Sequence, residues 1–177
     1  RIVDISNPAQ MYEIDAFVDG GDFASLAMHG SSAYVVDRTS GLRVIDVSGP
    51  PVETSAWSSI TYADDVDVAG GYAYVAAGLG GLHGVDISDP TRPSGAAHAG
   101  SYGHTANLSV IGNHAVITNA THANVPDDEG LDDWAIEVWD VSNLNAVERV
   151  GAFSTSFGPP RDMEVSGNLL FIADEWG

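Results

Sequence analysis

The chain has 177 residues, 44% of them hydrophobic, and carries 25 carboxylates against 6 basic residues, for a formal charge of -19. All six basic residues are arginine and there is no cysteine, which excludes lysine nucleophiles and bases, thiolate metal sites and disulfides. The acidic balance argues against nucleic acid or an anionic membrane as partner, and no apolar run approaches the roughly 18 residues of a membrane span.

Asp outnumbers Glu 18 to 7, and the carboxylates are spread among recurring Trp, Tyr and Phe. That pattern reads as a folded domain with an acidic surface rather than a disordered acidic tail. Such a surface repels itself in dilute buffer and is relieved when salt shortens the Debye length. Abundant Asp without lysine resembles proteins of salt-loving microbes. An ordinary acidic secreted protein of a high-GC genome is the competing reading, and it would be expected to carry more arginine.

Two motifs recur along the chain. The first is apolar-apolar-Asp-apolar-Ser, centred on Asp4, Asp46, Asp86 and Asp140. The second is an apolar alternation through a glycine to an aromatic or apolar pair, with glycines at Gly30, Gly70, Gly112 and Gly167. Two steps lie near 41 residues and one is stretched by an insertion over 121–133. Each unit reads as four short antiparallel strands. In the second unit these are Val66 and Val68 alternating with Asp65 and Asp67, a strand from Tyr72 after the Gly70-Gly71 turn, Leu82 to Ile87, and a fourth strand running to an aromatic. The aromatics that close the fourth strands are Phe17, Trp57, Tyr102 and Phe153. Four strands in about 41 residues predict an all-β fold, a β-propeller of four-stranded blades.

The run Gly41-Leu42-Arg43-Val44-Ile45-Asp46-Val47-Ser48, preceded by Ala33-Tyr34-Val35-Val36-Asp37, resembles a blade of the LVIVD-repeat family. The resemblance covers the chain apart from the insertion. It departs from the pattern at Leu144, where proline is expected, and at Gly84, where a β-branched residue is expected. It implies a propeller of a secreted or cell-surface protein, and it carries no catalytic signature. The units divide as 1–18 (third and fourth strands of a blade), 19–57, 58–102, 103–153 with the insertion, and 154–177 (first and second strands). The end segments are complementary. They predict either a closed four-bladed ring with a composite blade or a piece of a longer propeller, and the missing initiator methionine and signal peptide favour the second.

Several groups are candidate sites. The recurring aspartates are expected to accept hydrogen bonds from their own loops. The insertion holds Asp127, Asp128, Glu129, Asp132 and Asp133 around Gly130, a set of oxygen ligands suited to Ca²⁺, although the spacing matches no EF-hand and a solvated acidic loop is the plainer account. Asp64, Asp65, His104, Asn107 and Asp162 stand where innermost strands begin and are expected to line a funnel. There they would bind a small ligand or cation, or simply hold water. The six histidines show no HExxH pair and are read as scattered. Asn119 heads a glycosylation sequon beside the insertion. GxSxG and GxGxxG are absent.

The reading that follows is a non-catalytic propeller module, extracellular or at the cell surface and adapted to high salt. It would bind a protein or glycan partner or assemble with itself, with Ca²⁺ as the one candidate cofactor. The alternatives are a metal-dependent enzyme using Asp64, Asp65, His104 and Asp162 in the funnel, and a structural tile of a filament or surface layer.

Overall fold

The computed structural model describes residues 1–100, 103–121, 134–155 and 160–174. Tyr102, His122 and the acidic run 127–133 lie outside them. Among the described residues sixteen strands form three four-stranded and two two-stranded antiparallel sheets, all with neighbours in chain order. The first sheet pairs β1 (Ile2–Asp4) with β2 (Tyr12–Asp15). The next blade runs β3 (Phe23–His29), β4 (Ser32–Asp37), β5 (Gly41–Asp46) and β6 (Val52–Trp57). The second full blade is β7 (Asp65–Ala69), β8 (Tyr72–Ala76), β9 (Leu82–Asp86) and β10 (Ser94–Ala99). The third is β11 (Gly103–Ile111), β12 (His114–Thr121), β13 (Trp134–Asp140) and β14 (Glu148–Thr155). Last come β15 (Pro160–Ser166) and β16 (Leu169–Asp174).

The first strands β3, β7, β11 and β15 pack against one another in sequence, so they are the inner strands of a propeller. The core lies between blades. Tyr34, Val36, Leu42 and Val44 meet Val66, Ala73, Val75 and Val85 in one cluster. Tyr74, Ala76, Leu82 and Ala99 meet Leu108, Ala115, Ile117 and Trp139 in the other. Successive side chains of a strand point to opposite faces, so β8 sends Ala73 and Val75 one way and Tyr74 and Ala76 the other. A blade covered on both faces explains why this strand is apolar throughout.

The glycines that close the first hairpin of each unit, Gly30, Gly70, Gly112 and Gly167, all have positive φ between 55° and 61°. A side chain resists that conformation, which is why the periodicity is carried by glycine. Gly41 is constrained more severely: with φ at 85°, a Cβ there would lie 2.6 Å from the Trp57 carbonyl oxygen. Each pairing of third with fourth strand contains a bulge, which deepens the twist needed to fan blades about an axis. Among the described residues β1 and β16 are not hydrogen-bonded to each other and stand in separate two-stranded sheets.

Candidate functional site

The polar groups that begin the inner strands have distinct tasks. Asp65 and Asp67 alternate on β7 and turn toward β11. Leu108 N–H donates to Asp65 Oδ2 at 2.8 Å, and Val110 N–H donates to Asp67 Oδ2 at 2.7 Å. Their other oxygens accept from Val66 N–H and Val68 N–H at 2.9 and 2.7 Å. An inner strand has one edge without a sheet partner, and its N–H groups need acceptors. These two carboxylates supply them, tying the second full blade to the third. Burial pushes the Asp65 carboxyl up, against the lowering effect of hydrogen bonds from Ser25, Leu108 and Val66.

The other candidates divide. Asn107 sits at a bulge of β11, exchanges hydrogen bonds with the Thr118 hydroxyl and donates to the Arg161 carbonyl at 3.3 Å. Asp162 is exposed and accepts from Met163 N–H at 2.9 Å. Asp64 and His104 do come together, with Nε2 3.5 Å from Oδ2. Arg38 Nε donates to the second Asp64 oxygen at 2.9 Å, and its Nη1 reaches Asp22 at 3.4 Å. Contacts from three blades thus meet at Asp64.

Two expectations are corrected. Asn119, read as a glycosylation acceptor, is 0% exposed. It shares the β12 face of Ala115 and Ile117, the face that enters the core between blades, so its amide is out of reach in the folded chain. The histidines are not all scattered. His83 and His98 face each other across β9 and β10, with ring centroids 4.5 Å apart and planes tilted by 31°. His114, by contrast, stands at the far end of the β11–β12 hairpin from His104. Among the described residues no three histidines or carboxylates are grouped to hold a metal ion. The run 127–133 is outside the described residues.

The histidine pair opens onto a pocket of about 590 Å³, walled by Ile60, Tyr62, Leu79, His83, His98 and His104. Segment 58–64 joins one blade to the next, and the Gly78–Gly81 turn connects β8 with β9, so the pocket lies at one end of the blade. Trp57 meets His83 edge-on at 5.8 Å. His98 Nε2 lies 2.8 Å from the Gly80 carbonyl. Burial and the neighbouring His98 push His83 down to about 4, outweighing its own hydrogen bond to Gly80. Sequence reading missed this pair because strand alternation shows faces but not which residues of two strands stand opposite. The signal was the short β9–β10 connection, once its register is known.

The four recurring aspartates are turn residues. Asp4, Asp46, Asp86 and Asp140 accept from the N–H of Ser6, Ser48, Ser88 and Ser142 at 2.8 to 2.9 Å. Those serines, by N–H and hydroxyl, hold all four carboxyls below the usual range.

The sequence profile of the family described as LVIVD repeat matches residues 1–19, 20–54, 60–97 and 158–177, well over half of the chain. No curated protein matches in a sequence search. Among solved structures, the computationally designed Ika4 protein is 12% identical with a TM-score of 0.66, over 93% of this chain and 92% of that one. The computationally designed Ika8 protein is 12% identical with a TM-score of 0.61, over 85% of this chain. A structure of S. cerevisiae Dbp5 bound to Nup159, Gle1, IP6 and ADP contains a chain 9% identical, with a TM-score of 0.50 over 83% of this chain. The chain spans 42% of the Ika8 chain and 37% of the yeast one. At these identities the likeness concerns the fold alone.

Proposed function

The chain belongs to the LVIVD-repeat family, and on that premise we propose that it is a non-catalytic β-propeller module of an extracellular or cell-surface protein adapted to high salt. It works by holding its loops and sheet edges rigid for a protein or glycan partner, or for further copies of itself. The observation that carries the non-catalytic part is the use made of the inner carboxylates. Asp65 and Asp67 are taken up by backbone N–H groups of the next blade. Asp64 is engaged by Arg38, and Asp162 by its own strand. An enzyme in the funnel would need such groups turned toward a common reacting atom. The run 127–133 remains, on its sequence, a candidate for holding Ca²⁺.

Self-assembly is favoured by a separate observation. Among the described residues β1 and β16 each pair on one side only, and Val3, Ile5, Leu169 and Phe171 are exposed on or beside them. Apolar strand edges of this kind pair with further strands. Sedimentation in molar KCl across a range of protein concentrations tests this. Association that grows with concentration and is abolished by Phe171→Asp, with the thermal midpoint unchanged, is the expected result. A monomer at every concentration removes assembly from the proposal and leaves a foreign partner.

A further inference from the structure

Each complete blade sets the turn aspartate that ends its third strand opposite the first residue of its second strand. Asp46 stands opposite Ser32, Asp86 opposite Tyr72 and Asp140 opposite His114, and the pairing then runs on without a shift. In β1 the turn aspartate is Asp4. β16 has the length of β4 and begins at the same distance from its hairpin glycine, so Leu169 takes the place of Ser32. The shared register would set Leu169 opposite Asp4, Leu170 opposite Val3 and Phe171 opposite Ile2. Positions that complete blades bury are exposed in these two halves. Val3 corresponds to Ile45, Val85 and Trp139, all buried, and is 45% exposed. Phe171 corresponds to Tyr34 and Tyr74, both buried, and is 57% exposed.

Charge follows the same correspondence. Arg43 on a third strand is engaged by Glu53 of the fourth strand and Asp37 of the second. In the third full blade Glu137 occupies the Arg43 position, and its neighbours have changed to match. Arg149 stands for Glu53 and pairs with Glu137, while the uncharged Asn119 stands for Asp37. The second strand thus avoids a charge like that of the third strand it meets. β1 carries Arg1 at the Arg43 position, bonded to Glu13 as Arg43 is to Glu53. β16 carries Asp174 at the Asp37 position. The two edges therefore offer the acid and the base of one blade.

We propose that β16 of one copy of this chain adds to β1 of a second copy in the register Leu169 to Asp4. Two chains then complete one four-stranded blade, with Asp174 beside Arg1. A second copy is the occupant because the two edges are complementary in register, burial and charge, yet stand in separate sheets of this fold. Such a join is head-to-tail, so each added copy presents a further edge and association continues past the dimer. The inference rests on the self-assembly reading and adds which edge meets which.

The chain has no cysteine, so introduced cysteines report the register directly. Val3→Cys and Leu170→Cys are prepared separately, mixed in molar KCl and oxidised with glutathione disulfide. Linked dimer forms on the order of tenfold faster than with Ile5→Cys in place of Val3→Cys, because a two-residue slip carries the sulfurs beyond disulfide reach. Ile2→Cys with Phe171→Cys, the adjacent pair of the same register, links as fast and serves should either first variant fail to fold. Equal linkage through Ile5→Cys, linkage of one variant with itself at the mixed rate, or association in sedimentation without linkage overturns the proposal and leaves self-assembly standing. Linkage within one chain that carries both cysteines, at high dilution, overturns the second copy. A monomer in sedimentation with no linked dimer overturns both readings.

Discussion

Burial and the adjacent His98 push His83 down to about 4 from an ordinary value of 6.5. Such a base takes up a proton more readily in the unfolded chain. Its contribution to stability is therefore complete above about pH 6.5 and is lost as pH falls through 4. The whole shift would amount to about 3 kcal/mol. Solvent screening of a partly exposed ring reduces it to about 1–2 kcal/mol. Urea unfolding at neutral pH and near pH 4.5 should show His83→Gln losing less stability on acidification than the parent chain by that margin. Equal acid losses would mean that the ring is free to ionise in the fold. The recurring aspartates were legible at this same scale, because an Asx turn is closed within three residues. Nothing local could pair His83 with His98, which are fifteen residues apart.

At the level of strands and blades, Asp65 and Asp67 are the instructive case. The alternation Asp65-Val66-Asp67-Val68 correctly places both carboxylates on one face of a strand, and their position at an inner strand is legible from the repeat. Their task is not legible, since the acceptors are needed by Leu108 and Val110 of the following blade. Removing either carboxylate leaves a strand N–H without its acceptor, at a cost of about 1–3 kcal/mol. Asp65→Ala and Asp67→Ala should each lower the urea midpoint with an unchanged slope. Unchanged midpoints would show that water replaces the carboxylates and that apolar packing alone joins the blades. Asn119 went the other way: a sequon reads as surface, but its place on the face of Ala115 and Ile117 buries it.

Over the molecule as a whole, Arg1, Arg38, Arg43 and Arg149 are committed to local carboxylates. Arg43 is held by Asp19, Glu53 and Asp37, over the neighbouring rings of Phe17 and Phe23. Arg149 pairs with the fully buried Glu137 at 3.1 Å. The large carboxylate excess that remains repels itself, and salt screens it. The thermal midpoint should rise from dilute buffer to molar KCl. A rise with low Ca²⁺ that a chelator reverses would instead locate a specific cation site, with Asp128 and Asp132 the first to mutate. A flat response to both would dismiss the adaptation to brine. Repeat length, strand order and turn glycines were determined by the sequence itself, because a 41-residue period and a two-residue alternation are one-dimensional signals that short-range sterics enforce. The tertiary structure alone decided which blade faces enclose Asn119, which N–H groups Asp65 and Asp67 serve, and how His83 and His98 come face to face. Those contacts depend on bulges, cross-strand register and the angle between blades, and they join residues that no repeat places side by side.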